Sequence, residues 1–242
     1  MANRILITKE GKRYFVKDIS KDYHMEYGFI SKADLKKKQG QVKTNTGTEL
    51  GIFEPSFSDL YRKIKRGPQI IARKDIGLIM AETGIGKNSI ILDSGAGSGA
   101  LCCYLANYAK KVTAYEIRED FLNISKYNAE FLGLKNLTIK NKDIYQGIDE
   151  KNLDLITLDL PEPWNVVEHA SKALKSGGYL VSYSPTIPQA MDFANAILER
   201  KDFAIIKTSE VIEREWEMEG RKVRPKSRMI GHTGFLTFAR KI

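Results

Sequence analysis

The sequence predicts an α/β fold in which a parallel sheet is covered by helices on both faces. Apolar strand patterns alternate with amphipathic helical patterns through most of residues 74–200, which is typical of parallel strands joined by crossover helices. One buried-type strand, residues 89–93, runs directly into a glycine-rich loop. Ligands of such sheets bind beyond the carboxyl ends of the strands, so we expect a site at this loop.

The first 67 residues predict a small β-rich domain, and Gly67-Pro68 marks the expected boundary with a second domain of residues 68–242. The elements expected in the small domain are a β-hairpin over residues 4–16, a strand over 48–55, and short helices capped by Ser31 and Ser58.

In the second domain, strand patterns occupy residues 89–93, 111–117, 137–140, 153–160, 179–185, 203–213 and 234–242. Helical patterns occupy residues 74–82, 100–109, 118–134, 162–178 and 187–200. Gly177 and Gly178 are expected to close the fourth of these helices. No helix separates the last two strands, so we expect a long basic hairpin to join them antiparallel.

Composition narrows the class of protein. The chain has 242 residues, 42% of them hydrophobic, and no apolar run long enough to cross a bilayer or to serve as a signal peptide. We therefore expect a cytoplasmic protein without a membrane partner. Cys102 and Cys103 are adjacent, which indicates a reducing compartment and a place in the core. With two cysteines and three histidines, we expect no metal site.

The net charge of +9 is concentrated near the N-terminus. Residues 1–70 carry 15 Lys and Arg against 8 Asp and Glu, and residues 221–228 (RKVRPKSR) add five more basic residues. Excess positive charge on a segment favours a nucleic-acid partner, although a solvated basic surface has the same composition.

The glycine-rich loop fits two kinds of cofactor. Gly95, Gly97 and Ala100 match the G-x-G-x-x-G/A loop of dinucleotide-binding folds, whereas residues 93–99 (DSGAGSG) match the D-x-G-x-G-x-G loop of S-adenosylmethionine-dependent methyltransferases. Glu116 ends the next strand, where both classes use an acid against ribose hydroxyls. These two motifs predict a nucleoside cofactor without choosing between the classes.

Two further acids favour S-adenosylmethionine. Asp93 would repel a pyrophosphate but attract the cationic methionine end, and Asp143, after the third strand, can accept from an adenine amine. Asp93 as a cap of the loop backbone and Asp143 as a surface residue are the simpler alternatives.

The fourth strand ends in residues 159–164 (DLPEPW), where two prolines fix the backbone next to the loop. Amino-adenine methyltransferases place a related turn here, and its acceptor oxygen holds the exocyclic amine of the base. An Asp159 carboxylate in that role would make N1 of adenine more nucleophilic and could later take the N6 proton. The alternative is a rigid loop with Trp164 as packing.

Several stretches occur together in the order seen in one enzyme family: RGPQIIARKD, LDSGAGSGAL, YEIRED, KDIY, LDLPEPWNVVEHA and GHTGFLTFARK. Over residues 62–242 the chain resembles the tRNA (adenine-58-N1)-methyltransferases, and in particular their archaeal and bacterial single-subunit form. The resemblance implies a Rossmann-like class I S-adenosylmethionine-dependent methyltransferase sheet and methyl transfer to N1 of adenosine 58 in the tRNA T-loop by a homotetramer.

The resemblance also assigns residues. Asp159 matches the catalytic aspartate, and Tyr183 matches a tyrosine that lines the target-base pocket. The positions that match cofactor contacts are Gln69, Asp93, Ser94, Gly95, Ala96, Gly97, Ser98, Gly99, Glu116, Asp143, Ile144 and Asp159.

Some questions stay open at this point. Ala72-Arg73 replace the family's aromatic or histidine followed by proline, which puts one wall of the base pocket in doubt. His232 is a base-pocket residue or a structural turn, with the second favoured, and Trp216 packs an interface or stacks on RNA. Methylation at position 57 as well, an NAD-dependent oxidoreductase, and a non-catalytic RNA-binding subunit are the alternative functions. No Tyr-x-x-x-Lys pair follows the glycine loop, which argues against the oxidoreductase.

Overall fold

The computed structural model describes residues 3–67 and 70–242. The chain divides into two compact units between Lys63 and Ile64, four residues before the Gly67-Pro68 pair at which the sequence pattern changes. Pro68 itself lies outside the described residues.

The smaller unit is built on a four-stranded antiparallel sheet. Its elements are β1 (Arg4–Ile7), β2 (Arg13–Val16), β3 (Tyr23–Met25), β4 (Gly28–Ile30), α1 (Lys32–Leu35), β5 (Gln39–Lys43), β6 (Glu49–Phe53) and α2 (Phe57–Tyr61). The sheet has the order β2-β1-β6-β5, and β3 and β4 form a separate hairpin. Leu6, Val16 and Ile52 are among the residues that form its core. The predicted hairpin over residues 4–16 is confirmed.

The predicted cap of α2 was wrong. Ser56, not Ser58, precedes the helix, and its hydroxyl accepts from the backbone amide of Asp59 at 3.3 Å while the Asp59 carboxylate accepts from the Ser56 amide at 3.0 Å. This reciprocal capping box satisfies two amides at the helix start, which an N-cap at Ser58 would leave unpaired.

The larger unit is a seven-stranded α/β sheet. Its elements are α3 (Arg73–Thr83), β7 (Ile90–Ser94), α4 (Ala100–Ala106), β8 (Lys111–Glu116), α5 (Glu119–Phe131), β9 (Leu137–Asn141), β10 (Leu153–Leu158), α6 (Val167–Ala173), β11 (Leu174–Ser184), α7 (Ile187–Leu198), β12 (Phe203–Ser209), β13 (Trp216–Glu219), β14 (Lys222–Pro225) and β15 (Phe235–Lys241). The strand order is β12-β15-β11-β10-β7-β8-β9. The five strands from β11 to β9 pair parallel, and β15 runs antiparallel to both of its neighbours.

This architecture confirms the predicted fold class. The central strands are buried on both faces, so four of the six residues of β10 (LDLITL) are apolar, and the strand packs in the core together with Leu92, Tyr115 and Phe193. Cys102 and Cys103 are fully buried on α4, as predicted. The β13–β14 hairpin links β12 to β15, which pair antiparallel as expected.

Gly177 and Gly178 do not close a helix, contrary to the prediction. The helix ends at Ala173, and both glycines lie within β11. A Cβ at Gly178 would stand 2.9 Å from the Leu153 carbonyl oxygen. Gly178 therefore serves the close approach of β11 to β10, where the register shifts, and Gly177 takes a positive φ of +79° within the strand, so neither acts as a helix stop.

Among the residues that the structure describes, no helix combines the length and the apolar character needed to span a membrane.

Candidate active site

A cleft opens at the carboxyl ends of β7 and β10. The two strands are in register at Asp93 and Thr157, and the Asp159 amide donates to the Ser94 carbonyl at 2.9 Å. The cleft has an empty volume of about 290 Å³, part of which is open to solvent. It is lined by Ile70, Ile71, Asp93, Gly95, Ala96, Gly97, Ser98, Ala100, Leu101 and Asp159. The predicted loop and the predicted aspartate thus meet in one cavity.

The three glycines of the loop meet three different requirements. Gly95 has φ +79°, and a Cβ there would overlap the Asp159 carbonyl oxygen. Gly99 has φ +81°, begins α4, and faces the Ser125 side chain so closely that a Cβ would lie 3.0 Å from it. Gly97 has φ +53° but open space beside it. Of the three, Gly97 alone would meet nothing closer than 3.9 Å at its Cβ position, so a ligand can approach its backbone there.

Glu116 holds this loop in place. The Gly97 amide donates to its Oε2 at 2.7 Å and the Arg118 amide to its Oε1 at 2.9 Å. The Gly95 and Ala96 amides donate to the Tyr115 carbonyl at 3.2 and 3.1 Å. A carboxylate has more than two acceptor positions, so Glu116 can still accept from a ligand hydroxyl.

Asp93 is buried with one oxygen satisfied. The Thr157 hydroxyl donates to Oδ1 at 2.6 Å, whereas Oδ2 has no hydrogen-bond partner among the described residues. Burial, and to a lesser extent the charges of Asp159 and Glu116, raise the pKa of Asp93 to about 7. The 2.6 Å hydrogen bond of Asp93 therefore joins it to the neighbouring strand β10. Asp93 presents a buried acceptor to the cleft, and Ser98 adds a buried, unpartnered hydroxyl there. These atoms fit a ligand that carries a cationic donor.

Asp143 and Ile144 follow β9, at the same edge of the sheet. The Asp143 Oδ1 accepts from the Tyr145 amide at 2.9 Å and begins a short 3₁₀ turn over Ile144–Gln146. The Ile144 side chain is buried in the core, so only its backbone can face a ligand. Neither residue lines the cleft described above.

Asp159 lies at the mouth of the cleft and is exposed as a residue. Its carboxyl group accepts no hydrogen bond from the part of the chain that the structure describes. Desolvation by the cleft walls, together with the charge of Glu116, raises the pKa of Asp159 to about 6. The carboxyl group is therefore unengaged and mainly ionised at neutral pH.

Two residues that sequence reasoning missed fix the turn after Asp159. The Glu162 amide donates to the Tyr145 hydroxyl at 3.2 Å, and the Gln189 side-chain amide donates to the Pro161 carbonyl at 3.1 Å. Trp164 is half-buried in the 3₁₀ turn Pro163–Val166. The turn is thus rigid from both sides.

Tyr183 borders a second, smaller cavity that shares Ile71 and Leu101 with the cleft. Its hydroxyl donates to the Thr233 carbonyl at 2.6 Å. Burial raises the pKa of Tyr183 to about 12, and the charges of Asp75 and Asp159 add to the effect. Tyr183 is therefore a neutral, fixed ring.

A buried ion pair, also missed in the sequence, holds Thr233. The Lys74 ammonium donates to Asp75 Oδ1 at 2.8 Å, to Thr233 Oγ1 at 2.6 Å and to the Val211 carbonyl at 2.6 Å. The Thr233 hydroxyl in turn donates to Asp75 Oδ2 at 2.8 Å. The start of α3, the end of β12 and the segment before β15 are thereby tied together.

His232 has an acceptor at each ring nitrogen: Glu210 Oε1 lies 2.6 Å from Nδ1 and the Pro185 carbonyl 2.8 Å from Nε2. The Glu210 carboxylate, and then the Pro185 carbonyl, raise the pKa of His232. Only the imidazolium donates from both nitrogens, so the ring is held as a cation. This geometry is that of a structural residue that bonds the backbone.

The basic run 221–228 is less cationic than its composition indicates. Lys222 and Arg224 pair with Glu217 at 3.2 and 3.0 Å, and Lys226 pairs with Glu215. Trp216 is 51% exposed on the same hairpin. Arg221 and Arg228 have no ion pair within residues 3–67 and 70–242.

Three expectations concern the segment before α3 and metals. Gln69 lies outside the described residues, so its predicted cofactor contact has no structural counterpart here. Ala72 precedes α3 without a side-chain cap, and Arg73 is exposed as its first residue. No cluster of three or more potential metal ligands occurs among the described residues.

Comparison with known families and proteins finds tRNA methyltransferases. A family model described as "tRNA methyltransferase complex GCD14 subunit" matches residues 61–223. The chain is 36% identical to the tRNA (adenine(57)-N(1)/adenine(58)-N(1))-methyltransferase TrmI of Methanocaldococcus jannaschii, over 99% of this chain and 95% of the relative. It is 30% identical to the tRNA (adenine(58)-N(1))-methyltransferase TrmI of Thermus thermophilus, over 84% of this chain and 81% of the relative.

Two solved structures share the whole architecture. A structure described as a SAM-dependent O-methyltransferase from Thermotoga maritima has a TM-score of 0.86 and 31% identity, and the match covers 100% of this chain and 93% of the other. The m1A58 methyltransferase TrmI of Aquifex aeolicus has a TM-score of 0.83 over 99% and 96% of the chains, and at 23% identity it supports the fold alone.

Proposed function

The chain belongs to the family described as tRNA methyltransferase complex GCD14 subunit, and we propose that it transfers a methyl group from S-adenosylmethionine to N1 of adenosine 58 in the T-loop of tRNA. One observation carries the proposal: the glycine loop and Asp159 are in van der Waals contact, because Gly95 leaves room only for the Asp159 carbonyl. A methyl donor on the loop and an acceptor base at Asp159 would therefore be neighbours.

S-adenosylmethionine supplies an electrophilic methyl group on a sulfonium. Asp93 Oδ2 and Ser98 Oγ are the buried unpartnered atoms suited to its methionine end, and Glu116 and Asp143 are the acids suited to the ribose and adenine. We also propose cofactor contacts for Ser94, Ile144 and Gln69, which rest on the family resemblance of the sequence alone. The family membership gives no support to a dinucleotide cofactor.

Asp159 is the proposed catalytic residue. Its free carboxylate would accept the N6–H of the target adenine and so raise electron density at N1. As the N1–methyl bond forms and the methyl–sulfur bond breaks, positive charge develops on the adenine, and the nearby carboxylate stabilises it. Asp159 can then take an N6 proton as a general base. Tyr183 would form one wall of the base pocket.

The tRNA must be gripped while the buried T-loop base is exposed. We assign phosphate contact to the basic residues 1–67 and to Arg221 and Arg228 of the β13–β14 hairpin, whose other cations are paired. The hairpin follows the carboxyl end of β12, which is the edge of the sheet that holds the cleft.

We also propose a homotetramer in the cytoplasm, as the family resemblance implies. Trp216, Met218 and Val223 leave apolar surface exposed on the hairpin that a second copy could cover. Light scattering coupled to gel filtration gives the mass in solution, and a monomer would contradict the tetramer.

The decisive experiment treats tRNA transcripts with the purified protein and labelled S-adenosylmethionine, followed by nucleoside analysis. We expect 1-methyladenosine with the wild type, and about 10²–10³-fold slower transfer for Asp159→Ala, with cofactor affinity within a few-fold of wild type. Methylation at the normal rate by Asp159→Ala would refute the role of Asp159.

Substituted transcripts separate the remaining alternatives. If the product disappears when adenosine 58 is replaced, methylation occurs at position 58 alone. If some product remains, position 57 is methylated as well, which is the specificity named for the M. jannaschii relative. The nucleoside analysis also separates 1-methyladenosine from 2′-O-methyladenosine, which methyl transfer to the ribose oxygen would give instead. Cofactor binding without any product would support a non-catalytic subunit.

A further inference from the structure

The Thr157 hydroxyl is a buried group of the cleft region that the proposed function leaves unused. Thr157 is 2% exposed near the carboxyl end of β10, and it is the register partner of Asp93 in the β10–β7 pairing. Its Oγ1 donates to Asp93 Oδ1 at 2.6 Å. The parallel sheet itself fixes the positions of both residues, so this bond does not depend on a mobile loop.

The bond leaves Asp93 with one defined free acceptor. Oδ1 is engaged, whereas the buried Oδ2 has no partner among the described residues, and Asp93 lines the cleft. A buried carboxylate oxygen without a partner is costly unless a donor reaches it. The arrangement is that of an acceptor prepared for a ligand.

The surroundings otherwise disfavour an ionised Asp93. Desolvation is the largest effect, and the carboxylates of Asp159 and Glu116 add to it, so that the pKa of Asp93 is raised to about 7. On α4, Cys102 and Cys103 are buried thiols, and a side-chain hydrogen bond with Cys103, followed by burial, raises the pKa of Cys102, so the Cys102 thiol stays neutral beside the Asp93 carboxylate. The Thr157 hydroxyl and the Cys102 amide favour the carboxylate. No Lys, Arg or His lines the cleft in the described part of the chain.

We infer that Thr157 is a positioning residue for the cofactor: its hydroxyl holds Oδ1 so that Asp93 presents Oδ2 as an ionised acceptor to the ammonium group at the methionine end of S-adenosylmethionine. This inference rests on the proposed cofactor and extends it to a residue that touches no ligand. On this inference, the Thr157 and Asp93 side chains on adjacent strands together recognise the ammonium group of the ligand.

Calorimetric titration with three compounds tests the inference. S-adenosylmethionine and S-adenosylhomocysteine both carry the ammonium, and only the first carries the sulfonium. 5′-Methylthioadenosine carries neither. Loss of a hydrogen bond to a charged group shifts its pKa by about one unit or more, so we expect Thr157→Val to bind the first two compounds about fivefold more weakly at pH 7 and the third unchanged.

Two variants and a pH series complete the design. Thr157→Ser keeps the hydroxyl and should restore wild-type affinity, and Thr113→Val, at another buried threonine of the same sheet, should leave all three affinities unchanged. In the wild type, affinity for S-adenosylhomocysteine should rise with pH through about 7 as Asp93 ionises, and fall above about 8 as the ligand amine loses its proton. In Thr157→Val the rise should move to higher pH.

Unchanged binding by Thr157→Val, an equal loss for all three compounds, or a loss confined to the sulfonium compound would overturn the inference. If the wild type binds S-adenosylmethionine and Thr157→Val gives one of these three results, only the inference about Thr157 fails, and the proposed function stands. A wild type that binds none of the three compounds overturns the proposed function and this inference together.

Discussion

Two glycine-containing loops meet the sheet at the same edge, and they differ in whether their polar groups have hydrogen-bond partners. In the cofactor loop (residues 93–99), the Asp93 and Ser98 side chains each keep a buried oxygen without a partner among the described residues. In the clasp loop (residues 231–234), both nitrogens of His232, and the hydroxyl and carbonyl of Thr233, are engaged. Both loops contain glycine, but only one leaves its acceptors free.

The difference separates receiving a ligand from holding the fold. A folded chain rarely leaves buried polar atoms unpaired unless another molecule or water completes them. The polar groups of the clasp loop form hydrogen bonds with Lys74, Asp75, Tyr183 and Glu210. These bonds fix Tyr183, which lines the second cavity. The variants below break one loop or the other, from the largest expected effect to the smallest.

Gly95→Ala should have the largest effect. A methyl group would overlap the Asp159 carbonyl, and φ +79° is strained for alanine, so we expect destabilisation of about 3 kcal/mol or more and loss of cofactor binding. Gly97→Ala is the control, because it shares the positive φ but meets open space, and we expect about 1 kcal/mol. Thermal unfolding checks both, and equal losses would contradict the steric argument.

Asp93→Asn should flatten the pH dependence of stability. The folded-state pKa of about 7 lies above the ordinary value, so between about pH 4 and 7 the folded state binds more protons than the unfolded state, and the free energy of unfolding falls as pH rises. The amide variant cannot ionise at this position and should lose the part of the decline that comes from Asp93, whereas Asp159, whose pKa is also raised, keeps its own smaller part. Urea unfolding at pH 5 and 8 measures the difference, and a decline of unchanged size in the variant would contradict a raised pKa of Asp93.

Thr233→Val should destabilise by about 1–3 kcal/mol, because it removes one acceptor from Lys74 and one donor to the fully buried Asp75. Thr233→Ser keeps the hydroxyl and should stay near wild type. Denaturant midpoints compare the two, and a valine variant as stable as serine would mean that the network adds nothing to the fold.

His232→Gln should have the smallest effect, and one that depends on pH. The raised pKa of His232 means that its contribution is present below about pH 6.5 and is lost as pH rises through the folded-state value. The melting temperatures of wild type and variant should therefore converge above that pH. A difference that grows with pH would exclude the imidazolium described here.

The sequence predicted well what depends on local pattern. The parallel sheet, the glycine loop, the acids that end successive strands and the turn at residues 159–164 follow from periodicity and from short motifs. Gly177 and Gly178 were misread because two consecutive glycines after a helical pattern match a helix stop, while the close neighbour that requires Gly178 is Leu153 on another strand. Ser56 was missed because Ser58 is also a plausible cap.

The hydrogen bonds of the clasp loop could not be predicted in the same way. Lys74 and Asp75 are separated from Thr233 by more than 150 residues, and no pattern within a window relates them. The Thr157–Asp93 bond has the same origin, since it depends on which strands become neighbours. Motifs therefore predicted which residues face the ligand, whereas the residues that orient them emerged only from the three-dimensional structure.

The missing side chain at Gly95 also bears on how substrate choice can diverge in this fold. The Asp159 carbonyl occupies the volume where a Cβ of Gly95 would stand. A substitution at either residue therefore disturbs the other, so the loop and the first residue of the turn cannot change independently. New acceptor preferences should therefore arise from substitutions beyond Leu160, where the chain leaves the loop, while the junction itself stays constant across relatives that share the methyl donor.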